Sequence, residues 1–163
     1  MSNKKKDAIR RKLEQSRTAT LELARQLERE DWSHLVYSHD GGWNALDLLR
    51  HLTWAESGML RLMQMIREGD EGVPPDFDID RYNARGVSKL NDQMPADLMA
   101  TMDHNRQELM RFLEDLEEGD WQKEGRHGSL RIMTIEEILN LIADHEAEHL
   151  SDMRQALELG EDR

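Results

Sequence analysis

Apolar residues recur every three to four positions through four long segments of the chain, which is the spacing of one buried helix face. The four segments cover about residues 5–30, 44–69, 95–118 and 134–159. Alternating patterns of the kind that strands show are few and short. The pattern therefore predicts an all-α protein built from four long helices.

The predicted helices begin at sequences that are typical of helix starts. Asn44 can cap the second helix, and Pro95 suits the first turn of the third. Thr134 followed by Glu137 forms a capping box at the start of the fourth. These signals support the helical assignment independently of the periodicity.

The connections between the helices differ in length. Residues 69–80 are rich in Gly, Pro and Asp and form a linker, after which a short helix is expected near Asp80. Residues 119–133 form a second loop. Four long helices with one extended connection predict a four-helix bundle, and a length of 163 residues suits one domain over residues 1–163.

The composition restricts the class of protein. Apolar residues make up 37% of the chain and charged residues 34%, which suits a folded, soluble protein. No apolar run approaches the ~20 residues that span a bilayer, and the first residues lack the apolar segment of a secretory signal. A net charge of −12 argues against a nucleic-acid-binding surface. We therefore expect a cytoplasmic protein that binds neither membranes nor nucleic acid.

The chain contains no cysteine. Disulfides and protein thiolate nucleophiles are thus excluded, and any metal must be bound by nitrogen and oxygen atoms. A thiol that takes part in a reaction at this protein would have to come from a bound ligand.

Three histidines interrupt the apolar faces of two predicted helices. His145 and His149 lie four residues apart on the last helix, so their side chains share one face, and His51 lies on the apolar face of the second. Three imidazoles in a core are unfavourable unless something occupies the space between them, and imidazole nitrogen is a common ligand of zinc and similar metals. Three neutral imidazoles leave coordination positions open, which is typical of a catalytic or ligand-binding metal.

A simpler interpretation stands beside the metal site. A single buried histidine is usually a satisfied core residue, and a His-x-x-x-His pair also arises by chance. Three histidines on two core faces favour the metal. Of the others, His34, His39 and His127 lie in predicted loops and are expected to be solvated, and His104 is expected on a polar helix face.

The segment from His145 to His149 also matches the His-Glu-x-x-His pattern of zinc proteases, in which the glutamate is a general base. Those enzymes commonly take a third ligand from a later element, and Asp152 is the one nearby candidate. No sheet is predicted that would bind an extended peptide. A peptidase is therefore disfavoured, and Glu146 and Glu148 are expected either to support the ligands or to be solvated.

Two groups of motifs carry a family resemblance over nearly the whole chain. The first is Gly42-Trp43-Asn44 leading into Leu49-Arg50-His51-Leu52 and Ala55-Glu56. The second is His127-Gly128, the segment Thr134-Ile135-Glu136-Glu137-Ile138-Leu139, and His145-Glu146-x-Glu148-His149-Leu150. Together they resemble the DinB/YfiT-like superfamily of helical-bundle metalloproteins.

This resemblance implies an up-down-down-up four-helix bundle, with a long crossover between the second and third main helices at residues 69–95. It implies a divalent metal, usually zinc or nickel, on His51, His145 and His149. Relatives include S-transferases that use low-molecular-weight thiols such as bacillithiol or mycothiol, and a thiol-dependent maleylpyruvate isomerase. Members of the superfamily often form homodimers, so a homodimer is expected here.

Four further residues are candidates for roles near the mouth of the bundle. Glu56 is a catalytic candidate that could orient a ligand histidine or hold substrate, with a solvated helix position as the alternative. In the crossover, Asn83 is a second catalytic candidate and Tyr82 a cofactor-binding candidate, although Asn83 could equally cap a helix. Arg106 is a cofactor-binding candidate that could meet a ligand carboxylate, with a surface ion pair as the alternative.

The expected function is metal-dependent transfer of a low-molecular-weight thiol to an electrophilic small molecule, as in detoxification or a stress response. The first alternative is a non-catalytic protein that binds a small molecule or sequesters a toxin. A metal-dependent hydrolase comes third. An enzyme should present a solvent-reachable metal with an open position, whereas a binding protein should have a large apolar pocket and tolerate His51→Ala.

Overall fold

Five α-helices and two small β-hairpins make up the computed structural model, which describes residues 2–38 and 41–158. The helices are α1 (Ser2–Gln26), α2 (Ala45–Arg67), α3 (Ile79–Lys89), α4 (Pro95–Asp115) and α5 (Ile135–Ala156). The antiparallel strand pairs are β1 (Leu35–Tyr37) with β2 (Trp43–Asn44), and β3 (Glu124–Arg126) with β4 (Ile132–Thr134). His39 and the predicted end of the last helix at Leu159 lie outside the described residues.

The predicted helix starts are confirmed by their capping hydrogen bonds. The Asn44 side chain accepts from the backbone nitrogen of Asp47 at 2.8 Å, and the Asp47 carboxylate accepts from Asn44 in return. Thr134 and Glu137 form the same reciprocal pair at the start of α5. These pairs satisfy backbone donors that a helix N-terminus leaves without partners. Helix α1 ends at Gln26, earlier than the periodicity predicts.

The order of contacts along the helices gives the bundle its topology. Lys5 pairs with Glu136 and Arg17 with Glu146, so α1 and α5 run in the same direction. Residues that come later in α2 contact residues that come later in α4, so these two helices also run in the same direction. Residues that come later in α1 contact residues that come earlier in α4, so those two helices run in opposite directions. The up-down-down-up arrangement is therefore confirmed. None of the helices in the described part of the chain has the length and apolar character that a bilayer-spanning segment needs.

The core consists of two apolar clusters separated by a polar layer. One cluster combines the start of α1, the end of α2, the end of α4 and the start of α5, and the other combines the opposite ends. Buried polar residues lie between the two clusters, namely Ser16, Arg17, Thr20, Thr53, Glu56, Arg106 and Glu146. Every long helix contributes to this layer, so the middle of the bundle differs chemically from its ends.

The crossover between α2 and α4 is attached to the rest of the protein along its length. Gly72 has φ +91°, and a Cβ atom there would overlap the backbone of Arg126. The backbone nitrogen of Val73 donates to the Arg126 carbonyl at 2.9 Å, and the Arg126 nitrogen donates to Glu71 at 2.7 Å. Further along, Gly86 of α3 lies against the indole of Trp54. The crossover therefore forms a fixed wall beside α2.

Candidate metal centre and adjoining cavities

Three imidazoles meet near the middle of the bundle. Nε2 of His145 lies 3.2 Å from Nε2 of His51 and 3.0 Å from Nε2 of His149. The candidate ligand atoms of all three residues fall within 4.8 Å of one another. His51 is 3% exposed. Helix α5 brings two of the rings together one turn apart, and α2 supplies the third from the facing helix.

Hydrogen bonds alone do not satisfy this arrangement. A ring nitrogen carries either one hydrogen or one lone pair, so Nε2 of His145 has only one bond to offer two neighbours. A tetrahedral ion with metal–nitrogen distances of about 2.0–2.1 Å would hold its ligand nitrogens about 3.3 Å apart. The separations from Nε2 of His145 to the other two Nε2 atoms, 3.2 and 3.0 Å, are close to that value. The nitrogen donors therefore fit a divalent cation in both chemistry and spacing.

Burial keeps the three imidazoles neutral. Burial, together with the charges of the nearby His145 and His149, lowers the pKa of His51 to about 3. The pKa of His145 is lowered to about 4, again mainly by burial, and that of His149 is lowered for the same reason. A neutral imidazole has a free lone pair on one nitrogen, which is the form that binds a metal. The triad is thus ready to coordinate at neutral pH.

Tyr37 fixes the orientation of one of these rings. Its hydroxyl donates to the Asp152 carboxylate and lies 2.8 Å from Nδ1 of His149. With the hydroxyl hydrogen directed to Asp152, Nδ1 of His149 is the donor to Tyr37, which leaves the Nε2 lone pair facing the other histidines. Asp152 therefore contacts Tyr37 on the Nδ1 side of the His149 ring, whereas the Nε2 side of that ring faces His145. Tyr37 was absent from the sequence prediction, because β1 is short and its burial pattern gives no periodic signal.

His51 has a different environment on its outer side. Its Nδ1 atom is buried and has no hydrogen-bond partner among the described residues. The ring stacks against Trp43 with 4.9 Å between centroids. A buried donor without a partner is unfavourable by about 1–3 kcal/mol. On this side of the ring, packing against Trp43 and not a hydrogen bond holds His51 in place.

Two arginines and two glutamates form a buried ion network directly below the histidines, one residue from each long helix. Arg17 donates to Glu56 and, at 2.9 Å, to Glu146. Arg106 donates to Glu56 at 2.9 Å and to Glu146 at 2.6 Å. Ser16 adds a further hydrogen bond to Glu146. We call Arg17, Glu56, Arg106 and Glu146 the central ion network.

The charges in this network are balanced. Burial alone would raise the pKa of Glu146, but the charges and hydrogen bonds of Arg17 and Arg106 outweigh it and lower that pKa. Burial likewise acts to lower the pKa of Arg106, and Glu56 and Glu146 raise it. Glu146 follows His145 directly and is the residue that a protease motif would use as a base. Here its carboxylate is held by two guanidinium groups.

The candidates Glu56 and Arg106 therefore form an ion pair with each other. Arg106 is 7% exposed and Glu56 is 4% exposed, so both lie inside the bundle and not on its surface. Neither lines the two large cavities beside the histidines. Glu56 and His145 line a small void of about 10 Å³, and Arg106 contacts it only through its ion pairs with Glu56 and Glu146.

Two large cavities reach the histidine triad from different sides. One, of about 440 Å³, lies between α2, the crossover and the β3–β4 hairpin and touches His51 and His145; we call it the apolar cavity. The other, of about 650 Å³, is lined by all three histidines; we call it the polar cavity. The other residues that line the polar cavity are Tyr37, Trp43, Asp80, Arg81, Asn83 and Ala84. The triad thus lies where two cavities meet.

The crossover candidates lie beside this junction. Asn83 lines both cavities, and Tyr82 lines the apolar cavity. The N-cap of α3 is Asp78, whose side chain accepts from the Arg81 nitrogen, so Asn83 lies inside the helix. Tyr82 packs against Gly58, where a Cβ atom would overlap its hydroxyl.

The expectation of a solvated His127 is wrong. Its side chain is 9% exposed and lines the apolar cavity at the turn of the β3–β4 hairpin. The Ser129 backbone nitrogen donates to Nδ1 of His127 at 3.1 Å, so this ring carries its hydrogen on Nε2. The hairpin folds back over the cavity and buries the ring. His34 and His104 are exposed, as expected.

A four-helix bundle with inward-facing histidines defines a recognisable class of helical protein. The chain matches the model of the DinB superfamily over residues 6–153 and belongs to that family. No curated protein sequence gives a significant match. The family assignment thus comes from the family model and agrees with the motif resemblance.

Solved structures share the fold at low sequence identity. YfiT from Bacillus subtilis, described as a probable metal-dependent hydrolase with an unusual four-helix bundle topology, has a TM-score of 0.74 and 15% identity; the match covers 95% of this chain and 89% of YfiT. The mycothiol-dependent maleylpyruvate isomerase has a TM-score of 0.72 and 15% identity, and the match covers 94% of this chain and 60% of the isomerase. The four-helix bundle protein TT2238 has a TM-score of 0.66 and 20% identity, and the match covers 92% of this chain and 98% of TT2238. The chain therefore spans 60% of the length of the isomerase.

Proposed function

We propose that this protein is a divalent-metal-dependent enzyme that transfers a low-molecular-weight thiol to an electrophilic small molecule. The observation that carries the proposal is the position of the three neutral imidazoles at the junction of two cavities. A transfer reaction needs room for two reactants beside one reactive centre. The likeness to a mycothiol-dependent isomerase adds support for a thiol as one of them.

The residues of the chain have distinct parts in this proposal. His51, His145 and His149 would hold the cation, zinc or nickel, and Tyr37 would keep His149 oriented. When bound, such a cation favours the thiolate form of a thiol at neutral pH. The polar cavity would position the thiol, and the apolar cavity would position the electrophile and exclude water. Asn83 borders both and is placed to contact either reactant.

Glu56 and Arg106 take an indirect part in this proposal. The central ion network joins all four long helices just below the histidines. It would therefore fix the separation of α2 and α5, and with it the distance between His51 and His145. This assigns both residues a positioning role in place of direct contact with substrate.

The experiment measures transfer of a thiol to 1-chloro-2,4-dinitrobenzene, in which a sulfur–carbon bond forms, chloride leaves and the thiol proton passes to solvent. Mycothiol, bacillithiol and cysteine serve as donors. We expect one donor to react well above its uncatalysed rate with zinc- or nickel-loaded protein, and His51→Ala to abolish this acceleration. His104→Ala is the matched control, since it removes an exposed histidine of α4.

Two results would overturn the thiol-transfer proposal. Hydrolysis of activated esters by the loaded protein without acceleration of any thiol would indicate the hydrolase alternative, as described for YfiT. The apolar cavity also satisfies the expectation for a non-catalytic binding protein. Ligand binding that survives His51→Ala, with no catalysis of either kind, would indicate that class.

Replacing Tyr37 by phenylalanine should weaken metal binding without abolishing it. The change removes the hydroxyl that holds Nδ1 of His149 but keeps the ring. Loss of such a supporting group typically weakens metal binding by about 10–100-fold. Competition with a chelating dye measures the affinity. Tyr82→Phe is the matched control, and an equal effect of both changes would contradict the positioning role of Tyr37.

The remaining features of the proposal follow from the family and from the composition. We propose one domain over residues 1–163, a cytoplasmic location, a homodimer, and no binding of nucleic acid. Sedimentation velocity tests the dimer, and a mass of about one 19.1 kDa chain would contradict it.

A further inference from the structure

We propose that the apolar cavity takes a small molecule with an apolar body and a carboxylate, and that Arg61 and Arg131 hold this carboxylate. The inference rests on the proposed function, because it names the class of electrophile that would occupy the cavity. It deepens that function by assigning substrate-binding residues outside the histidine triad.

The walls of the apolar cavity suit the apolar body of such a molecule. Aliphatic, aromatic and thioether side chains dominate them, among them Met59, Leu62, Val73, Phe77, Ile79 and Leu141. The rings of Phe77 and Tyr82 lie 5.4 Å apart between centroids. A volume of about 440 Å³ falls within the usual range for small-molecule sites.

The charged side chains on these walls have one sign. The chain has 34 acidic and 22 basic residues, yet among the described residues no carboxylate lines this cavity. Arg61 of α2 and Arg131 of the β3–β4 hairpin are its two guanidinium groups. An acidic protein that presents only arginines here attracts anions to this place. Guanidinium groups bind carboxylates strongly because two parallel N–H donors match the two oxygens.

Both arginines are available to a ligand. Within the described part of the chain, neither takes part in an ion pair or in a side-chain hydrogen bond, and both are exposed at the cavity edge. Their charges reach residues of the cavity wall. Burial and then the charge of Arg131 lower the pKa of His127, and the charge of Arg61 opposes the rise that burial causes in the pKa of Tyr82.

His51 and His145 also line this cavity, and His51 lies on the same helix as Arg61, about 15 Å nearer the N-terminus of α2. A ligand whose carboxylate meets the arginines would therefore extend its apolar body along the wall towards the histidines. A carboxylate carried by the thiol donor would satisfy the same arginines but would not need the apolar wall. The length of the apolar chain distinguishes these two sources.

The test is isothermal titration calorimetry with octanoate on the metal-free and the zinc-loaded protein. Octanol and octylamine are the neutral and cationic counterparts, and butyrate is the short one. We expect octanoate to bind most tightly of the four. Replacing both arginines, Arg61→Gln with Arg131→Gln, should weaken octanoate about tenfold, since it removes charged hydrogen bonds. Arg29→Gln is the matched control because Arg29 is exposed and lines neither cavity.

Several results would overturn the inference. If octanoate does not bind, or binds no better than octanol, the cavity has no site that recognises a carboxylate. If butyrate binds as tightly as octanoate, the apolar wall does not contribute to binding. Unchanged affinity in the double arginine variant, with loss in the His51→Ala variant, would place the carboxylate at the histidines. These titrations involve no thiol and no turnover. Carboxylate selectivity without thiol transfer would refute the proposed function alone, and thiol transfer without that selectivity would refute this inference alone.

Discussion

Replacing Arg106 by methionine is expected to lower the free energy of unfolding by about 3–5 kcal/mol, the range typical of breaking a buried ion pair by removing one partner. Arg106 is 7% exposed and donates to both Glu56 and Glu146. The variant leaves two carboxylates with Arg17 alone in the polar layer of the bundle. It also removes the donor to the Leu13 carbonyl. Urea denaturation followed by circular dichroism measures the effect.

Arg111→Met is the matched control for this prediction. Arg111 lies on the same helix and also pairs with a glutamate, Glu108, but its side chain is 65% exposed. Exposed ion pairs contribute little, so we expect a change within about 0.5 kcal/mol. Comparable destabilisation by Arg106→Met and Arg111→Met would show that the central ion network adds nothing beyond an ordinary surface pair.

A second variant separates charge imbalance from loss of packing. Combining Arg106→Met with Glu56→Gln leaves Arg17 and Glu146 as one balanced pair. If uncompensated charge is the cause, the double variant should be more stable than the sum of the single effects by about 1 kcal/mol or more. Simple additivity would contradict that cause and would attribute the loss to the shape of the side chain.

The long helices were predictable because their information is local. A period of 3.6 residues marks the buried face, and the caps at Asn44 and Thr134 depend on residues three positions apart. The histidine triad was predictable as a candidate because its members replace apolar residues on two such faces. In each case the signal lies within one segment of sequence.

The central ion network was not predictable in the same way. Each of its four members lies on a different helix, so a pairing such as Arg106 with Glu56 depends on which helices are neighbours and in which direction they run. Alone, each charged residue is also compatible with a solvated helix position. Tyr37 and His127 were missed for a related reason, since short hairpins carry them to the site and a hairpin of two or three residues per strand has no reliable period.

Replacing His145 by alanine is expected to reduce metal affinity by more than about 100-fold, beyond the loss typical of a supporting residue. Nε2 of His145 is the atom that lies close to both other rings, at 3.2 Å from His51 and 3.0 Å from His149. Without it only the imidazole nitrogens of His51 and His149 remain. Two nitrogens are fewer than the three or four protein ligands that zinc sites typically have.

The effect of His145→Ala appears most clearly in how much metal stabilises the protein. At a free zinc concentration of about 1,000 times the dissociation constant, the wild type should gain about 4 kcal/mol on metal binding. A 100-fold weaker site would gain only about 1.4 kcal/mol under the same conditions. His104→Ala should keep the full gain, because His104 is exposed on α4. Thermal unfolding with and without zinc gives the increment for each variant and separates it from any change in the metal-free protein. An equal zinc-dependent increment in the wild type and in His145→Ala would remove the triad as the metal site, because no coordination by these three rings survives the loss of the central nitrogen.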